Sequence, residues 1–313
     1  MPWCLPAAAT LSTNAADHNT AIGYKSLFSN RTGTLNTAIG SNTLYTNTSG
    51  SSNVANGYQA LFYNTSGNSN VANGVNALFS NTIGDQNIAD GVYALYANTS
   101  GGNNTAVGFY SMLSNMTGNN NTAMGYQSLY LNTIGHSNIA IGYQTLYGNV
   151  SGLNSTAVGY QAMASSTGSN NVAFGYMAGK YETGSNAFYV DNQDRTDTAG
   201  DKAKALLYGN FAALAANQQL TVNAHLNITG TSTFSGGVTT TDSLYVGSYA
   251  STTGGLFTQG SGHYGGNLSI DGNATTTGNL TVGTSTLVVL HDLFGTGNDK
   301  VGIGTATPNN TLQ

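Results

Sequence analysis

The sequence predicts an all-β protein, most of which winds as a β-solenoid, a stack of short coils of nearly equal length. From Asn19 to about residue 186 the same residue types return every sixteen or seventeen positions, which indicates a repeat architecture. Charged residues make up only 6% of the chain, against about 25% in typical globular domains. Aromatic residues (10%) and apolar residues (39%) are too frequent for disorder, so the abundant Gly and Asn indicate tight turns.

The first element, residues 1–18, begins with a stretch that is too short and too uncharged for a signal peptide. The single cysteine of the chain, Cys4, gives no disulfide framework and no Cys-based metal site. No run of 18 apolar residues occurs, so the sequence predicts no membrane span. The absence of a basic patch argues against binding to nucleic acid.

The second element, residues 19–186, forms ten rows that align in columns of identical or similar residues. One column is Asn, a second is Gly and a third is Leu or Met. Because each coil of a solenoid packs only against its neighbours, residues of one column stack on each other. We therefore expect structural ladders, formed by Asn36, Asn53, Asn70, Asn87, Asn104 and Asn121, by Gly40, Gly57 and Gly74, and by Leu44, Leu61 and Leu78.

Each row is interpreted as one coil of two short strands and two turns. Both apolar stretches of a row, such as "TAIGY" and "SLF", are too short for helices and are followed by Asn or Gly. Stacked at about 4.8 Å, ten such coils would form a rod on the order of 50 Å long. Burial in so thin a coil barely offsets the entropy of ordering it. The sequence therefore predicts that partner chains supply further burial.

One column departs from its apolar pattern in three successive rows, at Asn56, Asn73 and Asp90. Two residues earlier, on the same face of the strand, the residue changes from Thr to Val or Ile in the same rows. Such compensation is expected on an enclosed face, where partner chains would gather a polar stack that holds a cation, ordered water or shared protons. The alternative is that this face points into solvent over these coils.

The third element, residues 187–219, is interpreted as a connector. Its acidic stretch, "DNQDRTDTAGD", lacks the Gly and Glu spacing of an EF-hand, which favours a solvated loop over a Ca²⁺ site. The fourth element, residues 220–313, alternates apolar residues with Thr-Gly turns and predicts short strands.

The phrases "NTAIG", "NTAVG" and "NTAMG" resemble the repeats of trimeric autotransporter adhesin heads. The longer phrase "NTAIGYQ-L-NTTG" is similar to arrays in bacteriophage tail-fibre-like proteins and bacterial surface proteins. The resemblance implies a left-handed β-roll assembled as a homotrimer, followed by a thinner trimeric β-shaft. The segment "KVGIGTATPNNTL" resembles the one that precedes an endosialidase-type intramolecular chaperone. No such chaperone follows it, so we expect the chain to be a fragment or a processed product.

These features together predict a structural fibre or adhesin, extracellular on a virion tail or a cell surface, whose partners are its own copies and surface glycans. The five His residues share no column and no metal-ligand spacing, and we expect neither a cofactor nor enzymatic activity. Two alternatives stay open. One is a tail-spike polysaccharide depolymerase, which would need paired carboxylates in a cleft. The other is a passive filament or spacer without a ligand.

Overall fold

The computed structural model describes residues 17–229 and four later strands. The chain divides into two units, Met1–Asn227 and Ile228–Gln313. The start of the N-terminal segment with Cys4, and the segment that resembles the pre-chaperone sequence, lie outside the described residues.

The first unit is a β-solenoid in which ten three-residue strands pair in parallel, each with the strand of the next coil. Residue pairs such as Ala38 and Ala55 are seventeen positions apart, so the predicted solenoid and its period are confirmed. The strands are β1 (Thr20–Ile22), β2 (Thr37–Ile39), β3 (Val54–Asn56), β4 (Val71–Asn73), β5 (Ile88–Asp90), β6 (Thr105–Val107), β7 (Thr122–Met124), β8 (Ile139–Ile141), β9 (Thr156–Val158) and β10 (Val172–Phe174).

The prediction of two strands per coil is wrong, because the second apolar stretch of each row is a series of turns. Within it Asn42 and Leu44 have φ values of 58° and 50°, in the left-handed region that side chains rarely adopt. The coils still pair there through the backbone, since Leu44 N–H donates to Ala60 O at 3.0 Å and Thr46 N–H to Phe62 O at 3.1 Å. Regular pairing of this segment therefore does not require an extended backbone.

From the second to the eighth coil, the core combines one Ala of the strand, one Leu or Met and one small residue of the turn series, and two Asn side chains. In the second and third coils Ala38, Leu44 and Asn53 are fully buried. An amide makes up as much of this narrow core as a Leu does. The interior is consequently held by hydrogen bonds as much as by apolar contact.

The segment interpreted as a connector continues the sheet and covers its last coil. Strand β11 (Ala187–Val190) pairs in parallel with β10, and β12 (Leu207–Asn210) and β13 (Gln219–Val222) follow in antiparallel order. Helix α1 (Thr198–Lys204) lies between β11 and β12, and a 3₁₀ turn, Ala215–Asn217, precedes β13. The reversal of strand direction ends the coil-on-coil stacking, as a terminal cap does in repeat proteins.

The second unit is described only by four strands: β14 (Leu244–Val246), β15 (Tyr249–Thr252), β16 (Gly262–Tyr264) and β17 (Asn267–Ile270). Strand β14 pairs in parallel with β16, and β15 with β17. Leu244 pairs with Gly262, eighteen residues later, an offset close to the circumference of the solenoid coils.

Candidate functional site: ladders, exposed columns and the cap

The inner Asn ladder runs from Asn36 to Asn138 and links each coil in that range to the next by side-chain amides. The Asn53 amide donates from Nδ2 to Asn36 Oδ1 at 3.1 Å and to Gly67 O at 2.9 Å. The same Asn36 Oδ1 also accepts the Asn53 backbone N–H at 2.9 Å. Every hydrogen-bonding atom of the buried amide is thereby used. The six Asn residues expected in this column lie in this ladder: Asn36, Asn53, Asn70, Asn87, Asn104 and Asn121.

A second Asn ladder is buried beside the first and shares a backbone carbonyl with it in each coil. In it, Asn64 Nδ2 donates to Asn47 Oδ1 at 2.8 Å and to Gly67 O at 3.0 Å. Gly67 O thus accepts one amide from each ladder, because Asn53 donates to it as well. The two ladders clamp the Gly turn of each coil between them.

The Gly and Leu columns occupy backbone positions that few residues tolerate. Gly57 has a φ of +136°, and a Cβ atom added there would lie 2.5 Å from Gly74 O of the next coil. Leu61 and Leu78 are fully buried with φ near 50°, a conformation that costs an ordinary residue about 1–2 kcal/mol. The Leu column therefore combines a core contact with a backbone conformation that is costly for Leu. The other members of these columns are Gly40, Leu44 and Gly74.

The outward face of the strands carries the sequence-predicted polar stack. Asn56, Asn73 and Asp90 are exposed in the single chain. Asn56 Nδ2 donates to Asn73 Oδ1 at 3.2 Å, and Asn73 Nδ2 to Asp90 Oδ1 at 2.9 Å. The structure thus brings the three residues together in one ladder. Whether partner chains enclose it stays a prediction.

Apart from the polar stack, this outward face is mostly apolar, and it is interrupted by threonines at Thr20, Thr37, Thr105, Thr122 and Thr156. Exposed side chains continue it on both sides of the polar stack, with Ile39 and Ile141 showing 40% and 38% of their surface. Further members are Ile22, Val54, Val71, Ile88, Met124, Ile139 and Phe174. Exposed apolar side chains that recur on one face in this way are typical of an interaction surface.

Two aromatic columns lie within the turn series. The first contains Phe28, Tyr45, Phe62, Phe79 and Tyr96, stacked with ring centroids 5.1–5.4 Å apart. The second, the tyrosine column, contains Tyr126, Tyr143, Tyr160 and Tyr176, stacked at 4.9–5.2 Å. The tyrosine column was not predicted, although "GY" recurs at the same spacing in the sequence.

A further column uses side-chain acceptors in place of backbone carbonyls. Ser51 N–H donates to Asn68 Oδ1 at 2.9 Å, and Asn68 N–H donates to Asp85 Oδ1 at 2.6 Å. Three coils later Asn119 N–H donates to His136 Nδ1 at 3.0 Å, which requires that nitrogen to be unprotonated. His136 therefore has a structural partner. Among the described residues no group of His, Cys, Asp and Glu is arranged to hold a metal ion.

The cap contains a buried ionisable cluster. Glu182 accepts the Tyr189 hydroxyl at 2.5 Å, the Gly184 N–H at 2.7 Å and Lys202 Nζ at 3.2 Å. Burial acts to raise the pKa of Glu182, but these hydrogen bonds and the Lys202 charge outweigh it and leave the pKa below its ordinary value. Burial and the neighbouring Glu182 raise the pKa of Tyr189 far above the ordinary range.

The acidic stretch of the cap is only partly the solvated loop expected from sequence, because Asp194 and Asp197 are exposed whereas Asp191 and Asp201 are buried. Asp191 is 5% exposed and binds Arg195 through both carboxylate oxygens, at 2.5 Å and 2.8 Å. Asp197 caps helix α1 by accepting Gly200 N–H at 2.6 Å, and Asp194 pairs with Lys180 at 3.2 Å. Each of these carboxylates has a protein partner, which favours a structural role over Ca²⁺ binding.

Asp201 is the most deeply buried acid of this stretch, at 1% exposure. Burial raises its pKa to about 6. The Tyr181 N–H, which donates to Asp201 Oδ2 at 3.0 Å, opposes that rise, and the nearby Asp191, Asp194 and Glu182 add to it. Linear spacing gave no sign that helix α1 would turn this side chain into the cap.

No protein-family model matches the chain, and no curated protein or solved structure does either. The described helices are too short and too polar to cross a membrane. The chemistry of the site therefore follows from its own geometry. It has amide ladders inside, a largely apolar sheet face outside and a capped end.

Proposed function

We propose that this chain is the rod of an extracellular structural fibre or adhesin, assembled as a homotrimer on a virion tail or a cell surface. The supporting observation is the largely apolar outward face of β1–β10, where exposed Ile, Val, Met and Phe side chains recur along the coils and are interrupted by Thr residues and by the polar stack. At about 4.8 Å per strand this face is on the order of 45 Å long. Three copies packed around an axis would bury it without leaving an open edge between chains.

The internal construction of the coils supports a rod. Each coil bonds only to its neighbours, through backbone pairs and two amide ladders, so rigidity is passed along one direction. No Lys or Arg lies between Arg31 and Lys180, which leaves the coils between these two residues without trypsin sites. Both properties suit a projecting surface fibre. The left-handed winding, the trimer and the trimeric shaft belong to the same proposal and come from the resemblance of the repeats.

Contact with glycans would have to use polar edges of the rod. Rings of the tyrosine column stack at 4.9–5.2 Å and cover one another's faces, so they cannot lie flat against a sugar. Beside them Gln144 Nε2 donates to Gln127 Oε1, and Gln161 Nε2 to Gln144 Oε1, each at 2.8 Å. Tyrosine hydroxyls and these amides are the groups available to sugar hydroxyls.

The oligomeric state tests the proposal, with two isoleucines of equal size as a matched pair. Ile141 is on the outward face, whereas Ile134 is 51% exposed on a turn of the same region. We expect light scattering to give three times the chain mass for the native protein and for Ile134→Lys, and a smaller species for Ile141→Lys. A folded native monomer at micromolar concentration would refute the trimer.

A glycan array then separates an adhesin from a spacer. Binding that is lost in Gln144→Ala and kept in Ile134→Lys supports the adhesin. A trimer that binds nothing on the array is a passive filament.

A further inference from the structure

The tyrosine column combines four features that permit oxidative cross-linking. Tyr126, Tyr143, Tyr160 and Tyr176 are one coil apart, their side chains point the same way, and 39–46% of each surface is exposed. Successive ring centroids are 5.2, 4.9 and 5.2 Å apart, and the planes of each pair deviate by at most 14°. Such stacking holds the reactive ring carbons of neighbouring phenols next to each other.

We propose that the tyrosine column is a modification site at which a one-electron oxidant joins successive coils by dityrosine bonds. Each of two neighbouring phenols gives one electron to the oxidant and its hydroxyl proton to water. The two phenoxyl radicals then couple through the carbons next to their oxygens. Both rings regain aromaticity as the hydrogen on each coupled carbon moves to oxygen. The balance is one new C–C bond, two electrons passed to the oxidant and two protons released.

The geometry favours coupling within one chain over coupling between chains. The partner ring is held at about 5 Å by the solenoid itself, so its effective concentration is far above that of any second molecule. A bond between Tyr143 and Tyr160 would fasten two coils that are otherwise joined by hydrogen bonds. In a surface fibre, such bonds would resist coil-by-coil unfolding.

The first aromatic column provides an internal contrast. Tyr45 stacks between Phe28 and Phe62 at 5.2 Å and 5.1 Å, and neither neighbour is a phenol. Stacking alone therefore does not predict cross-linking at Tyr45. The half-buried pair Tyr130 and Tyr147, stacked at 5.0 Å, has the required chemistry and should react more slowly because it is less exposed.

Photo-oxidation with a ruthenium trisbipyridyl complex and persulfate tests the proposal on the full chain, at low protein concentration. After digestion with pepsin, mass spectrometry should find peptides joined with the loss of two hydrogen atoms, linking Tyr126 to Tyr143, Tyr143 to Tyr160 and Tyr160 to Tyr176. The chain should keep its monomer mass on a denaturing gel.

Two conservative variants make the assignment specific. Tyr160→Phe should abolish the two linkages that use this residue and leave the one between Tyr126 and Tyr143, whereas Tyr45→Phe should leave the pattern unchanged. In concentrated urea the preference for these pairs should disappear. Linkages spread evenly over all tyrosines in the folded protein, or mainly between chains, would overturn the proposal.

Discussion

Truncating one amide of the inner Asn ladder tests whether polar contacts hold the coils together. Asn87 makes four side-chain hydrogen bonds: Nδ2 donates to Asn70 Oδ1 and Gly101 O, and Oδ1 accepts the backbone N–H and Nδ2 of Asn104. In Asn87→Ala, Asn70 Oδ1 would keep the Asn87 N–H, and Gly101 O would keep the Asn98 amide. The Asn104 N–H, however, would lose its acceptor inside the core.

The expected destabilisation follows from this count. Each lost bond contributes about 1 kcal/mol net, and an orphaned buried N–H costs about 1–3 kcal/mol more. Asn70 Oδ1 and Gly101 O keep another donor, so only the two bonds to Asn104 and the orphaned N–H count in full. We therefore expect a total of about 3–5 kcal/mol. Because a solenoid can unfold in parts, amide hydrogen exchange in the two neighbouring coils is a sharper assay than a single melting curve.

The control is Asn73→Ala, which removes an amide of the same type from the exposed ladder. It loses the bonds to Asn56 and Asp90, but water can replace them, so we expect a change within about 0.5 kcal/mol in the single chain. Protection of the coils around Asn87 that stays within about 1 kcal/mol of wild type after Asn87→Ala would refute the reasoning.

Four further outcomes are expected. Deletion of residues 87–103 should leave a shorter folded rod, whereas deletion of Ala89 alone should unfold it by turning later side chains to the wrong face; equal melting temperatures would contradict this. Leu95→Ile keeps the volume but places a β-branched residue at φ 51°, so it should cost more than about 2 kcal/mol in urea unfolding, against less than about 1 for Leu95→Met. The folded pKa of Asp201, about 6, lies above its unfolded value near 3.9. Its contribution to stability is thus full below about pH 4 and is lost as the pH rises to about 6; Asp201→Asn should remove that slope and raise the melting temperature at pH 7. If the polar stack is enclosed and holds a cation, a chelator should lower the melting temperature of wild type and not of Asp90→Ile.

The solenoid and its ladders were predictable because stacking converts a period in sequence directly into a contact in space. Asn36 and Asn53 are seventeen positions apart in sequence and are hydrogen-bonded to each other in the structure. The same argument predicts every column without knowledge of the coil's shape. The shape of the coil was mispredicted, because it depends on the left-handed conformations of Asn42 and Leu44. Asn is a residue type that indicates such a conformation, but Leu is not. Thr43 and Leu44 are both buried, whereas neighbours in a strand point to opposite faces.

The cap was not predictable for the opposite reason, since it lacks a period. Its contacts join Glu182 to Tyr189 and Lys202, and Tyr181 to Asp201, over sequence distances that differ in each pair. A run of Asp, Asn and Thr residues is typical of a solvated loop. Only the return of helix α1 against the last coil makes it a buried cluster.

Stacking also explains why the coils contain so few charged residues. A residue repeated in a column lies about 4.8 Å from its own copies, and charged side chains at that distance repel one another. An amide is both donor and acceptor, so it can bind its own copy. Aromatic rings and apolar side chains are equally compatible with themselves. Lys, Arg, Asp and Glu are not. The two acids between Arg31 and Lys180 each lie beside a neutral group: Asp85 accepts the Asn68 amide and Asp90 the Asn73 amide. The low charge of this chain is therefore a consequence of its repetition, and any substitution that sets two like charges one coil apart should weaken the rod at that point.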